Sequence, residues 1–158
     1  MSLLKPLSPA RVFFAKIGKG ARLPDAITKL ALETGSAFLM VTAIGGFARA
    51  RLAVYEQTTA TYHYADIEPL ENHVLEVITL NGNIVCKNNE CKPHLHAIVA
   101  RKPDEPLAGH LVEAEVNPFL EVFLIDPAIP GKEAVEALRH RFELRTSIKP
   151  LELSLIHI

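Results

Sequence analysis

The sequence predicts an α+β fold: a mainly antiparallel sheet with one long and one shorter helix packed on it. Three observations carry this. Short apolar and β-branched runs recur through the middle of the chain, separated by Asn-Gly, Asn-Pro and Pro-containing breaks. Those breaks are too short to hold crossover helices, so neighbouring strands run antiparallel. Apolar residues at the three- and four-residue spacing of a helix face occur in only two stretches.

Residues 11–18, RVFFAKIG, form a strand closed by Gly18 and Gly20. LPDAITKLALETG follows, with Leu23, Ile27, Leu30 and Ala31 on one helical face and Gly35 at the stop position. From Ser36 to Glu56 two β-rich runs surround Gly45-Gly46, which reads as a tight turn or a kink. Residues 57–72 are polar and carry one short edge strand, TYHYA. The centre parses as five short strands, HVLEVITL, NIVCK, HLHAIVA, GHLVEAEV and LEVFLID, broken at Asn81-Gly82, Lys87–Pro93, Lys102–Pro106 and Asn117-Pro118. PGKEAVEALRHRF supplies the shorter helix, with Ala134, Leu138 and Phe142 on one face, and LRTSIKPLELSLI a closing strand.

A chain of 158 residues, 49% of them hydrophobic, suffices for one domain that buries roughly two thirds of its unfolded surface. A single domain over residues 1–158 is expected, with its core at about 10–153 and short terminal tails. Seventeen basic and eighteen acidic side chains leave a net charge of −1, which excludes a global positive field for nucleic acid or an anionic membrane. The opening MSLLKPLSPAR has no signal-peptide core, and no run approaches the ~18 apolar residues of a membrane span. The expectation is a cytoplasmic protein with no membrane partner, in which Cys86 and Cys91 stay as thiols.

The chemistry-bearing stretch is PHLHAIVA. Side chains two apart on a strand share a face, about 6.5 to 7 Å from one another, so His94 and His96 emerge together while Leu95, Ala97 and Val99 face the core. Imidazole nitrogens bind zinc at about 2.0–2.1 Å, and twist and side-chain reach close the gap. His110 opens the next strand. Pairing across the short connection sets it nearer Ala100 or Ile98 than His94, so a neighbouring subunit is one way to bring it to the pair. Two readings compete for the histidines: ordinary half-buried strand residues, or ligands of a divalent metal. Cys91, three residues before His94, is either a further zinc-type ligand or, with Cys86, a bystander flanking a hairpin turn.

No serine sits in a nucleophile elbow, and Gly45-Gly46 lacks the lysine and glycine pattern of a phosphate loop. For nucleic acid the local candidates are Arg49 with Arg51, which alternation sends to one face, and Arg139 with Arg141 beside His140 and Arg145. The second group is interleaved with Glu133, Glu136 and Glu143.

The order of the pieces resembles the PPC domain (plant and prokaryote conserved domain). The strand RVFFAKIGKG, the helix LPDAITKLALETG, the pair in VTAIGGFARARLAVY, LEVITLNG, His-Leu-His at 94–96 and Gly-His-Leu at 109–111 carry the resemblance over about residues 10–128. It implies a compact α+β subunit of the stand-alone prokaryotic type, assembled as a homotrimer. It also implies a metal held, as in some members, by His94, His96 and His110, with zinc the first choice. The Arg-Gly-Arg-Pro hook by which the plant branch reads DNA is missing here. Ala108 stands where the family usually has a glycine, which bears on the aim of His110.

Three functions follow as expectations. The first is a non-enzymatic homotrimeric binding and assembly protein with a histidine metal site, partnered by itself and by DNA or DNA-associated proteins. The second is a DNA-binding transcriptional regulator acting through Arg49, Arg51, Arg139 and Arg141. The third is a zinc-dependent hydrolase-like enzyme, for which Glu113 or Glu115 is the candidate base.

Overall fold

The computed structural model describes residues 11–128. Its elements in chain order are β1 (Arg11–Gly18), β2 (Arg22–Leu23), α1 (Asp25–Thr34), β3 (Phe38–Glu56), β4 (Thr61–Ile67), β5 (Leu75–Lys87), β6 (Glu90–Ala100) and β7 (Pro106–Asp126). All pairings are antiparallel. The sheet closes on itself: β3 pairs with β5, β5 with β6, β6 with the start of β7, and β7 returns along β3. β1 extends the far end of β7, and β4 lies as an edge strand on the far end of β3.

Alternation fills the inside of this closed sheet. Leu39, Val41 and Ala43 of β3, Ile84 of β5, Leu95, Ala97 and Val99 of β6, and Leu120, Val122 and Leu124 of β7 all point inward, and Phe47 is the largest wholly buried side chain. Helix α1 lays Ile27 and Ala31 on the same core. It stops at Gly35, whose φ of 68° is the left-handed cap glycine supplies cheaply and whose N–H donates to the Leu32 carbonyl. A clasp joins the ends of β1, β7 and the α1–β3 link. Buried Ser36 donates to Asp126 (2.8 Å), and Arg11 donates to both (2.9 Å each).

The expected α+β class is corrected. Strands hold 69% of the described residues and helix 8%, so the fold is mostly antiparallel β with a single short helix. The shorter helix expected at 130–142 and the closing strand lie outside the described residues.

Of the two readings of Gly45-Gly46 the kink holds, as register shifts within β3, while the expected breaks at Asn81-Gly82 and Asn117-Pro118 are corrected. A Cβ on Gly45 would stand 2.3 Å from the Phe119 carbonyl oxygen, and one on Gly46 would stand 2.3 Å from that of Asn117. At Gly82 a Cβ would stand 2.0 Å from the His94 carbonyl oxygen. These glycines let neighbouring backbones approach inside unbroken strands, which is the other use of glycine besides turning. Asn117-Pro118 likewise lies within β7, at a register shift opposite Gly45–Phe47, where a residue without an N–H is tolerated. The break at Lys87–Pro93 shrinks to a two-residue turn, Asn88-Asn89, with φ of 52° and 61°.

Candidate metal centre

β6 carries the first two candidate ligands as alternation requires: His94 and His96 are exposed, while Leu95 and Ala97 are buried. The third arrives by register. Arg101–Glu105 forms the connection, closed by an Arg101–Glu105 ion pair, and β7 starts at Pro106 opposite Ala100. Counting on from there, Ala108 faces Ile98 and His110 faces His96. The expected placement of His110 against Ala100 or Ile98 is therefore corrected. The same chain brings all three imidazoles together without a neighbouring subunit.

The three ring centroids are 5.0, 5.2 and 5.4 Å apart, and one ligand atom from each ring lies within 4.8 Å of the others. His94 Nε2 and His96 Nε2 are hydrogen-bonded at 3.1 Å, one donating and the other accepting. Nitrogens on a shared tetrahedral ion stand about 3.3 Å apart, so little movement separates this pair from coordinating geometry. His110 is the most enclosed of the three. Burial, and then the charges of His94 and His96, push its pKa down to about 4, which leaves a neutral imidazole with a lone pair to offer. The cluster includes no carboxylate or thiolate.

Sequence reasoning missed three residues around this cluster. Asn81 faces His96 and Asn83 faces His94 across the β5–β6 ladder, so both amides share the histidines' face. Gly82, read as part of a turn, sits between them and admits the His94 backbone. Ala108, in the usual glycine position, needs no positive φ because it is extended strand. The close contact falls instead on Gly109, where a Cβ would meet the Ala53 carbonyl oxygen at 2.9 Å.

Cys86 and Cys91 are not thiols; they are joined as a disulfide across the β5–β6 hairpin. Cys91 is buried on the core side of β6, opposite the histidine face, so it is no fourth ligand here.

Arg49 and Arg51 do share a face, but acids from flanking strands stand beside both. Arg49 pairs with Glu115 at 3.2 Å and Arg51 with Asp66 at 3.5 Å, with Tyr64 under the Arg51 guanidinium. In register they form two neighbouring ladders of alternating charge, Arg22–Glu115–Arg49 and Glu113–Arg51–Asp66, lining a cleft of about 340 Å³. Glu113 and Glu115 thus stand in these ladders and not in the histidine cluster. Arg139 and Arg141 lie outside the described residues.

The model of one protein family, the Plants and Prokaryotes Conserved (PCC) domain, matches residues 5–126. Among solved structures the chain is similar to a metal-containing protein from Archaeoglobus fulgidus, at 26% identity and a TM-score of 0.69, covering 80% of this chain and 85% of that one. It is also similar to a plant- and prokaryote-conserved protein from Pyrococcus horikoshii, at 22% identity and a TM-score of 0.70, covering 82% and 87%. A third similar structure is named as a candidate DNA-binding protein, from Bacteroides thetaiotaomicron, at 24% identity and a TM-score of 0.67, covering 76% and 81%. The last two likenesses are of fold alone. No curated protein matches the chain. No helix among the described residues is long and apolar enough to cross a membrane.

Proposed function

The chain belongs to the Plants and Prokaryotes Conserved domain family, and from that premise we propose that it is a homotrimeric binding and assembly protein whose His94, His96 and His110 hold a divalent cation, zinc first. One observation carries the metal: three imidazoles from two paired strands offer nitrogens within 4.8 Å of one another. An all-nitrogen set of imidazoles suits zinc and its borderline neighbours better than magnesium or calcium, which take oxygen ligands. The Archaeoglobus fulgidus protein, described as metal-containing, supports the same reading. When bound, a cation with three protein ligands keeps a coordination position open for an exogenous donor. Asn81 and Asn83, the cross-strand neighbours of His96 and His94, set amide groups on the same face as the cluster.

Self-assembly is supported by the outer face of the sheet. Val12, Phe14, Met40, Ile44, Ile78 and Phe123 are each between 42% and 60% exposed, and Phe14 stacks on Phe123 with centroids 5.1 Å apart. The cross-strand row Phe14–Phe123–Thr42–Asn81–His96 runs from this apolar face to the histidines. A contiguous apolar face of this kind is typical of surfaces that meet another protein, and a second copy of the chain is the partner assigned here.

The test is metal analysis of tag-free protein coupled to native mass measurement. A trimer with about one metal per subunit is expected, and His94→Ala should lose the metal. A metal-free preparation indistinguishable from His94→Ala, or a monomeric mass, sinks the corresponding half of the reading.

Direct DNA binding is the weaker reading, because Arg49 and Arg51 stand beside carboxylates that phosphates would have to displace. Failure to shift any duplex at low salt would remove it. Metal-activated hydrolysis lacks its base at the site, since Glu113 and Glu115 line the arginine cleft.

A further inference from the structure

We propose that the Cys86–Cys91 disulfide regulates the metal affinity of the histidine site, so that its reduction weakens binding. This regulation rests on the metal reading above.

The three imidazoles are held by unequal numbers of neighbouring strands. β6 meets β7 only from His96 to Ala100, so His96 has Asn81 on one side and His110 on the other. His94 lies beyond the end of that second ladder, and along Glu90–Leu95 β6 pairs in the sheet with β5 alone. The next rung toward the turn is Ile84–Pro93, a non-hydrogen-bonded pair where proline is tolerated. Beyond it come Val85–Lys92 and then Cys86–Cys91, the rung that carries the crosslink.

The β5 side of this hairpin end is tied to the body of the protein. The Cys86 N–H donates to the Ala37 carbonyl (2.9 Å), and Cys86 packs against the core. On the β6 side Cys91 is buried in the core, and the disulfide joins it to Cys86. The crosslink therefore adds a covalent tie between the two strands at Cys91, three residues from His94 and on the same strand. With it intact, the His94 ring is held over the other two imidazoles; with it open, the stretch from Cys91 to His94 keeps its β5 rungs and the burial of Cys91 but loses the covalent tie to Cys86. Removing a support behind a metal ligand typically costs 10–100-fold in affinity.

The chemical step uses a small dithiol reductant. The Cys86–Cys91 S–S bond breaks, two electrons and two protons pass from the dithiol to the cysteines, and two protein thiols and one cyclic disulfide result. The thiols do not replace the lost affinity from within, because Cys91 faces the core and the histidines face outward.

The test is a zinc titration against a competing chromophoric chelator. It uses metal-free wild-type protein with the disulfide intact, the same protein reduced and freed of reductant under anaerobic conditions, and the Cys86→Ser/Cys91→Ser double variant. Roughly tenfold weaker binding is expected in both opened forms. In metal-free samples the His94 ring resonances should broaden on opening while those of His110 stay unchanged. Equal affinities with an unchanged His94 spectrum overturn the regulation and leave the metal reading intact. Tighter binding in the reduced form, with a thiolate-to-cobalt absorption band on cobalt substitution, overturns it by showing the thiols to be ligands. No zinc uptake by the disulfide form overturns the metal reading and this proposal together.

Discussion

Replacing Gly82 by alanine tests whether the histidine site depends on close approach of two backbones. The added methyl would stand 2.0 Å from the His94 carbonyl oxygen and 2.9 Å from the Leu95 Cα. The first distance is about 1.4 Å short of ordinary contact, and its partner is backbone, which cannot rotate away. The β5–β6 ladder must open at the rung that sets His94. Overpacking of this kind costs about 1–3 kcal/mol, and here it also moves a proposed ligand by more than the roughly 0.5 Å a site tolerates. Urea unfolding of metal-free protein should show an unfolding free energy lowered by that amount, read as a lower midpoint at unchanged m-value, and zinc affinity should fall at least tenfold. Gly18→Ala is the control, since nothing lies within 4 Å of its Cβ position and its φ is not left-handed. Gly82→Ala matching Gly18→Ala in both assays would refute the reasoning.

Three further predictions follow from other parts of the molecule. His110, with its pKa pushed down from 6.5 to about 4, stays neutral in the fold while an unfolded chain takes up its proton. Stability should therefore fall as the pH drops from about 6.5 toward 4; His110→Gln should flatten that slope in pH-dependent thermal melts. Ser36→Ala removes the buried hydroxyl that donates to Asp126 and accepts from Arg11, and should cost about 1–2 kcal/mol by denaturant unfolding. Phe123→Glu places a charge on the exposed apolar face beside Phe14, and should lower the native mass from that of the proposed trimer toward monomer while the circular dichroism spectrum is kept.

Much of the site is written in local periodicity. That His94 and His96 share the outer face, with Leu95, Ala97 and Val99 inside, follows from extended backbone in an apolar run, and the structure keeps it. The helix at Asp25–Thr34 with its Gly35 stop, and the edge strand at Thr61–Ile67, are equally local signals. Family membership was legible too, through motifs spread over most of the chain.

What the tertiary structure alone decided depends on residues far apart in the chain. His110 meets His96 because the Arg101–Glu105 connection fixes a register, and a shift of two residues would have left it opposite Ile98. Gly45, Gly46 and Gly82 look like turns in the sequence because glycine serves both turning and close packing, and only the neighbouring strand reveals which. The closed sheet, the dominance of strand over helix, and the acids set beside Arg49 and Arg51 belong to the same class. Side-chain alternation is a property of one strand, whereas register and closure are properties of pairs, and a single sequence states the first far more plainly than the second.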